Sequence, residues 1–300
     1  MWLDPHDLNG GGQGENDMFR KLGLACAFGA ALMTSAYAQS DLVKRGDYLV
    51  NTIMTCANCH TPKGPTGDIA EKAFSGGLSW DEPPFKVTAS NITQDKETGI
   101  GSWTDAQIKT LLRTGKRPNG VQIAEVMPTA FYGIISDRDM NAIVAYLRTI
   151  KPISNKVPDP IYKMQLPHHA YPGSEKPYTE ATINGDKLKK GFYLATIGHC
   201  MECHTPFKAG GGKDFVGDLG KGGMEFPGPW GKSVSRNITP SKTKGIGAWT
   251  DAEIKTAITT GKDKDGKPLK PPMGYHYYSK MTGEDLDAVI AYLRTVPAQD

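Results

Sequence analysis

Two short stretches of this chain carry the residues most able to do chemistry. Cys56-Ala57-Asn58-Cys59-His60 lies within TCANCHTP, and Cys200-Met201-Glu202-Cys203-His204 lies within HCMECHTP. Two thiols three positions apart fit on one helical turn. Such a pair serves three chemistries: a redox disulfide, half of a zinc site, or covalent attachment of a c-type haem. Only the third gives the His directly after the second Cys a task. There the thiols add to the two vinyl groups of haem, and the His lies under the iron as its proximal ligand. For a single copy the three chemistries stay open. Compartment and the second copy decide between them.

The compartment is read near the N-terminus. From Met18 the sequence runs MFRKLGLACAFGAALMTSAYAQS, with Arg20 and Lys21 ahead of a short apolar stretch, Leu22 to Met33. Ala36-Tyr37-Ala38 then forms an A-x-A cleavage site before Gln39. That order is the one of a secretory leader, too short for a comfortable membrane span. Cleavage near Ala38 and a periplasmic location are expected, with residues 1–38 the extension and leader. Cys26 leaves with the leader, so the remaining four cysteines all lie in the two motifs. In an oxidising compartment thiols at this spacing rarely stay free. No cysteine is left for a structural disulfide. Two covalent haem c groups, on Cys56 with Cys59 and on Cys200 with Cys203, account for the whole count.

Composition bounds the rest. Charged residues make up 22% and hydrophobic residues 38% of the 300, with a formal net charge of +3. This is the balance of a globular protein of roughly two domains. Nothing in it argues for nucleic acid. No apolar run after the leader is long enough to span a bilayer, so no transmembrane anchor is expected.

The second motif belongs to a long repeat. RGDYLVNTIMTCANCHTP corresponds to KGFYLATIGHCMECHTP, and SNITQDKETGIGSWTDAQIKTLLRTG corresponds to RNITPSKTKGIGAWTDAEIKTAITTG. MPTAFYGIISDRDMNAIVAYLRTI corresponds to MGYHYYSKMTGEDLDAVIAYLRTV. The offset is 144 residues at the Cys pairs and 146 from Asn91 through Leu147. A period this long means two duplicated domains, not a solenoid. The expected units are 39–150 and 186–300, joined by the Pro-rich segment 151–185 as an ordered, semi-extended linker. Each unit is expected to fold around its own haem.

Helical signals recur at matching places. Leu42 to Ile53 and Leu188 to Ile197 run into the Cys motifs. Thr104 with Gln107, and Thr250 with Glu253, spell capping boxes for helices that end at Gly115 and Gly261. The last helices start at Ser136 and Thr282 and carry apolar residues at a 3.6-residue period. No strand alternation stands out, and the expected class is all-α.

Taken together, the CHTP pairs, the NIT turns followed by GIG-x-W-T-D, and the AYLRT helices resemble two tandem class I cytochrome c domains. The pair is similar to the cytochrome c subunits of bacterial periplasmic alcohol and gluconate dehydrogenases. The resemblance covers most of 41–296. It implies an electron carrier rather than an enzyme, taking electrons from a periplasmic dehydrogenase and passing them to a soluble cytochrome or terminal oxidase of a respiratory chain. It also implies that His60 and His204 are proximal iron ligands and that a Met from a loop before the last helix closes each iron. Met127 and Met273, 67 and 69 residues after His60 and His204, stand at matching places beside prolines. Met54, Met140, Met164, Met224 and Met281 have no Met counterpart and read as packing. His168, His169, His199 and His276 likewise have no counterpart and read as surface or packing residues. Trp103, Trp249, Asn91 and Asn237 fit either propionate contacts or plain structural roles. A dihaem enzyme of the cytochrome c peroxidase or thiosulfate dehydrogenase kind is the alternative. It requires an iron that opens, whereas each repeat here offers a Met.

Overall fold

The computed structural model describes residues 39–300 except 66, 210, 229 and 230. The expected leader therefore lies outside the described residues. Each half opens with a helix. Helix α1 (residues 39–48) tightens into a π-helical turn at Leu49–Ile53, closed by Met54 N–H donating to the Leu49 carbonyl at 2.8 Å. Its counterpart α6 (Lys187–Ile197) stays α-helical. The Cys motifs form single turns, α2 (Cys56–His60) and α7 (Cys200–His204). The middle helices are α3 (Asp105–Thr114) and α8 (Asp251–Thr260), and the last are α4 (Asp137–Leu147) and α10 (Gly283–Leu293). Helices α5 (Glu180–Gly185) and α9 (Tyr275–Tyr278) are short additions.

Local signals act where the sequence placed them. Both capping boxes form, with Thr104 and Thr250 accepting from the N–H three residues on. Gly115 and Gly261 end those helices in the left-handed conformation, at φ 68° and 66°. Ser136 and Thr282 cap the last helices.

The opening and last helices of each half cross at a glycine. A Cβ at Gly46 would run into the Ala142 carbonyl and Tyr146, and one at Gly191 into the Ala288 carbonyl and Tyr292. Only the missing side chain lets the two backbones approach so closely.

The all-α expectation is too narrow. Among the described residues there are three small antiparallel sheets. They comprise β1 (Lys63–Gly64) with β2 (Gly67–Asp68); β3 (Ser79–Glu82), β4 (Phe85–Thr88) and β5 (Ile161–Tyr162); and β6 (Glu225–Gly228) with β7 (Gly231–Val234). These strands are two to four residues long and mostly exposed, so they carry little of the hydrophobic alternation that announces a strand in sequence.

The connecting segment lies along the first half. Asn91 Nδ2 donates to the Ile153 carbonyl at 2.7 Å, Asn155 Nδ2 to the Ser75 carbonyl at 2.8 Å, and Tyr171 N–H to the Ala130 carbonyl at 2.8 Å. Tyr171 is buried and stacks on Phe131 at 4.7 Å, while Phe215 from the second half meets both rings edge-on. One continuous hydrophobic cluster runs through both halves, from Leu49 and Ile53 to Ile290 and Leu293. No helix of the described residues is long and apolar enough to cross a membrane.

Candidate haem sites

Both Cys-x-x-Cys-His turns begin from the same unusual backbone. Thr55 (φ 48°, ψ 40°) and His199 (φ 44°, ψ 35°) precede the first cysteine of each motif in the left-handed region. Non-glycine residues adopt it at a cost, and it persists where surrounding structure over-determines it. Here it turns the chain sharply off the opening helix. The cysteines and the His of each motif then share one short helical turn.

The His residues are oriented alike. His60 Nδ1–H donates to the Ser90 carbonyl at 2.7 Å, and His204 Nδ1–H to the Arg236 carbonyl at 2.6 Å. A carbonyl partner fixes the tautomer and leaves Nε2 with its lone pair free to bind a metal. Burial lowers the pKa of both rings, with the carbonyl bond opposing it. The neutral, ligating form is thereby favoured.

The loops that supply those carbonyls are anchored by different chemistry in the two halves. Arg117 donates to Ser90 Oγ at 2.8 Å, whereas Arg236 itself pairs with Asp263 at 3.1 Å. Arg117 and Asp263 occupy equivalent positions, so the cation has changed sides of the contact.

Two further residues carry no assignment from sequence. Thr61 Oγ1 accepts from Phe74 N–H at 3.1 Å, and Thr205 Oγ1 from Gly220 N–H at 3.2 Å. Both threonines are buried. Gly76 N–H and Gly222 N–H donate to the His60 and His204 carbonyls at 2.9 and 2.7 Å. The Thr of each CHTP thus ties the motif to the loop beneath it. The repetition of that tetrapeptide was the available signal.

The four cysteines of the described residues are unbridged and partly buried. Burial, then the neighbouring Cys59, pushes Cys56 up to about 12, and burial pushes Cys59 and Cys200 up to about 11. Cys203 is raised for the same reason. Burial is opposed at Cys59 by Lys63 and at Cys203 by His199 and Lys213, with Glu202 acting on both. A thioether carries no charge, so attachment to haem suits this environment, and the donor set fits the group. Among the described residues no cluster of three or more His, Cys, Asp or Glu is arranged to hold a metal ion.

Met127 is partly buried against the core, just before a 3₁₀ turn at Thr129–Phe131. Met273 lies partly exposed between Pro272 and Gly274. Five residues after each stands an equivalent tyrosine. Tyr132 lies beside Cys56 and Cys59, and Tyr278 beside Cys200 and Cys203; burial first, and these neighbours next, raise both phenols well above their usual pKa. The Met273 loop also touches the first motif, where Asn58 donates to the Pro272 carbonyl at 3.4 Å.

The other sequence candidates have structural roles here. Asn91 Oδ1 accepts from Thr93 N–H and Asn237 Oδ1 from Thr239 N–H, both at 2.9 Å, as turn caps. Arg148 and Arg294 donate to the Trp103 and Trp249 carbonyls at 2.5 Å, tying the last helices to the tryptophan turns. His199 is an exception to the surface-or-packing reading. It pairs with Glu202 at 3.1 Å, and its Nε2 lies 3.4 Å from the Met54 carbonyl of the other half.

The cytochrome c family model matches residues 43–151 and 188–297, one match for each repeat. The fructose dehydrogenase cytochrome subunit of Gluconobacter japonicus is 30% identical over 285 residues, covering 89% of this chain and 55% of its own length. The gluconate 2-dehydrogenase cytochrome c subunit of Pantoea cypripedii is 28% identical over 288 residues, covering 90% and 63%. A diheme cytochrome c-type protein of Cereibacter sphaeroides is 28% identical over 256 residues, covering 81% of this chain and 82% of its own length. The chain thus spans little more than half the length of the dehydrogenase subunits it matches.

Proposed function

The chain belongs to the cytochrome c family, and from that premise we propose that it is a periplasmic electron carrier for a dehydrogenase, with two covalent haem c groups. Cys56 and Cys59 hold one group and Cys200 and Cys203 the other. His60 and His204 are the proximal ligands, and Met127 and Met273 close the irons. The observation that carries this reading is the matched pair of motifs. Each has two partly buried cysteines on one helical turn and a His whose Nδ1 is committed to a backbone carbonyl.

When bound, haem supplies a one-electron couple, and a thioether ligand raises its potential by favouring ferrous iron. The chain contributes everything else. The backbone bond fixes each imidazole, so the proximal ligand need not reorient. Thr61 and Thr205 hold each motif to its loop. Proline beside each Met stiffens the segment that presents the sulfur. A site closed on both faces leaves no position for peroxide, which favours a carrier over a dihaem enzyme.

The relatives named as subunits of fructose and gluconate dehydrogenases support a dehydrogenase as donor. The acceptor is a soluble cytochrome or a terminal oxidase of a respiratory chain. The test is to mix the ferric protein with the dehydrogenase encoded nearest to it, together with that enzyme's substrate. Both haems should become reduced, and hydrogen peroxide should not be consumed. Peroxide turnover without reduction by the dehydrogenase would overturn the reading.

A further inference from the structure

The two halves meet in a contact that repeats itself with the partners exchanged. Tyr48 of the first half donates to Asp285 Oδ2 of the second at 2.7 Å. Its equivalent, Tyr193 of the second half, donates to Asp139 Oδ2 of the first at 2.8 Å. The same phenol oxygens accept from the cap residues of the opposite last helices, Thr282 N–H at 3.2 Å and Ser136 N–H at 3.4 Å. Each carboxylate is buried, Asp139 at 1% and Asp285 at 5% exposure. Each also holds a cation from its own half, Arg45 at 2.7 Å and Lys190 at 2.7 Å. When residue i meets j and the equivalent of j meets the equivalent of i, the interface is isologous, as in a two-fold dimer. Here the two-fold lies within one chain.

The centre of this seam is the strained entry to the Cys motifs. His199 Nε2 lies 3.4 Å from the Met54 carbonyl, and a Cβ at Gly198 would stand 3.2 Å from the Ile53 carbonyl. Asn58, inside the first motif, donates to the Pro272 carbonyl ahead of Met273 at 3.4 Å. Tyr277 donates to Asp68 at 2.5 Å. The left-handed residues Thr55 and His199 thus stand where the halves press together.

We propose that Tyr48 and Tyr193 are positioning residues: with Asp285 and Asp139 they form a reciprocal clamp that holds the two haem-attachment turns at one fixed separation and orientation. The proposal rests on the two-haem reading. A buried carboxylate that loses its phenol is left short of a donor, and the Thr282 or Ser136 N–H across the seam loses its phenol acceptor as well. Removing both hydroxyls therefore releases both ends of the two-fold contact while leaving each cation–carboxylate pair intact.

The test uses the full-length holoprotein with Tyr48→Phe, Tyr193→Phe and both together. Hydrogen exchange at the Met54, Asn58, His199 and Glu202 amides should be at least tenfold faster in the double variant. The two reduction midpoints, whose spacing combines each site's own potential with the charge it feels from the other, should shift relative to one another. A residue that only added stability would lower the melting temperature and leave that spacing alone. If the double Phe variant does not accumulate folded, each single Phe variant should still speed exchange at these four amides. Unchanged exchange and unchanged spacing in the Phe variants would overturn the clamp. The exchange measurement needs no electron donor, so it stands even if the protein proves to be a dihaem enzyme. Conversely, a normal carrier with unchanged exchange refutes the clamp alone.

Discussion

The methionines carry the sharpest residue-level expectation. Met127 and Met273 are equivalent positions in the two repeats, each beside a proline and ahead of the last helix. Met127→Ala should open the first site and Met273→Ala the second. Each variant should gain carbon monoxide binding in the ferrous state and lose about half of the sulfur-to-iron absorption at the red edge of the ferric spectrum. One reduction potential should fall in each case, because water stabilises ferric iron better than a thioether does. The unmutated ferrous protein should bind carbon monoxide poorly. A second expectation concerns Thr61 and Thr205, whose hydroxyls satisfy buried N–H groups of the loops beneath each motif. Thr61→Val leaves the Phe74 N–H without a partner and should cost about 1–3 kcal/mol. Thermal unfolding of the holoprotein would read it, and a melting temperature within a degree of wild type would contradict it. Thr61 and Thr205 were visible in sequence only as part of a repeated tetrapeptide. Their role depends on which N–H groups the folded loop brings to them.

At the scale of elements, the helix crossings decide most. Gly46 and Gly191 each let an opening helix touch the backbone of a last helix. Gly46→Ala drives a methyl group into the Ala142 carbonyl, and overpacking of that kind costs about 1–3 kcal/mol. The obstacle is backbone, which yields less than a side chain, so the upper end is expected. Gly185, where an added methyl group would meet nothing within 4 Å, is the control, and Gly185→Ala should leave the melting temperature nearly unchanged. The capping residues form a milder test. Thr104→Ala removes one half of a capping box and should cost about 1 kcal/mol, read from denaturant unfolding. These elements were legible because their signals are local: a Thr three residues before Gln or Glu, a Gly at the stop, a 3.6-residue apolar period. The hairpins were not legible, because exposed strands of two to four residues bury too little to show a pattern. The π-helical turn at Leu49–Ile53 likewise has no local signature. It accompanies the seam where Ile53 meets Gly198 of the other half.

For the whole molecule, the expected product of export and maturation is a chain starting near Gln39 with two haems attached. Intact mass after periplasmic expression with haem-maturation machinery should show the two added groups, and one or none would refute the assignment. The hydrophobic cluster is continuous through both halves and is crossed by Tyr48, Tyr193 and the rings of Phe131, Tyr171 and Phe215. The halves are joined by far more than the segment between them. The sequence by itself determined the duplication, the two haem attachment motifs, the equivalence of Met127 with Met273 and the ends of the main helices. Each of these is written in residues close together along the chain or repeated at a fixed offset. Only the tertiary structure decided that the two repeats face each other about an internal two-fold, that Tyr48 and Tyr193 exchange partners, and that His199 meets the Met54 carbonyl. Those contacts join residues 54 to 237 positions apart. Tyr48 and Tyr193 are the same side chain at equivalent positions, which would hold whether they faced solvent or the other half, so the repeat alone cannot say which face is buried. That choice is made only when the helices pack.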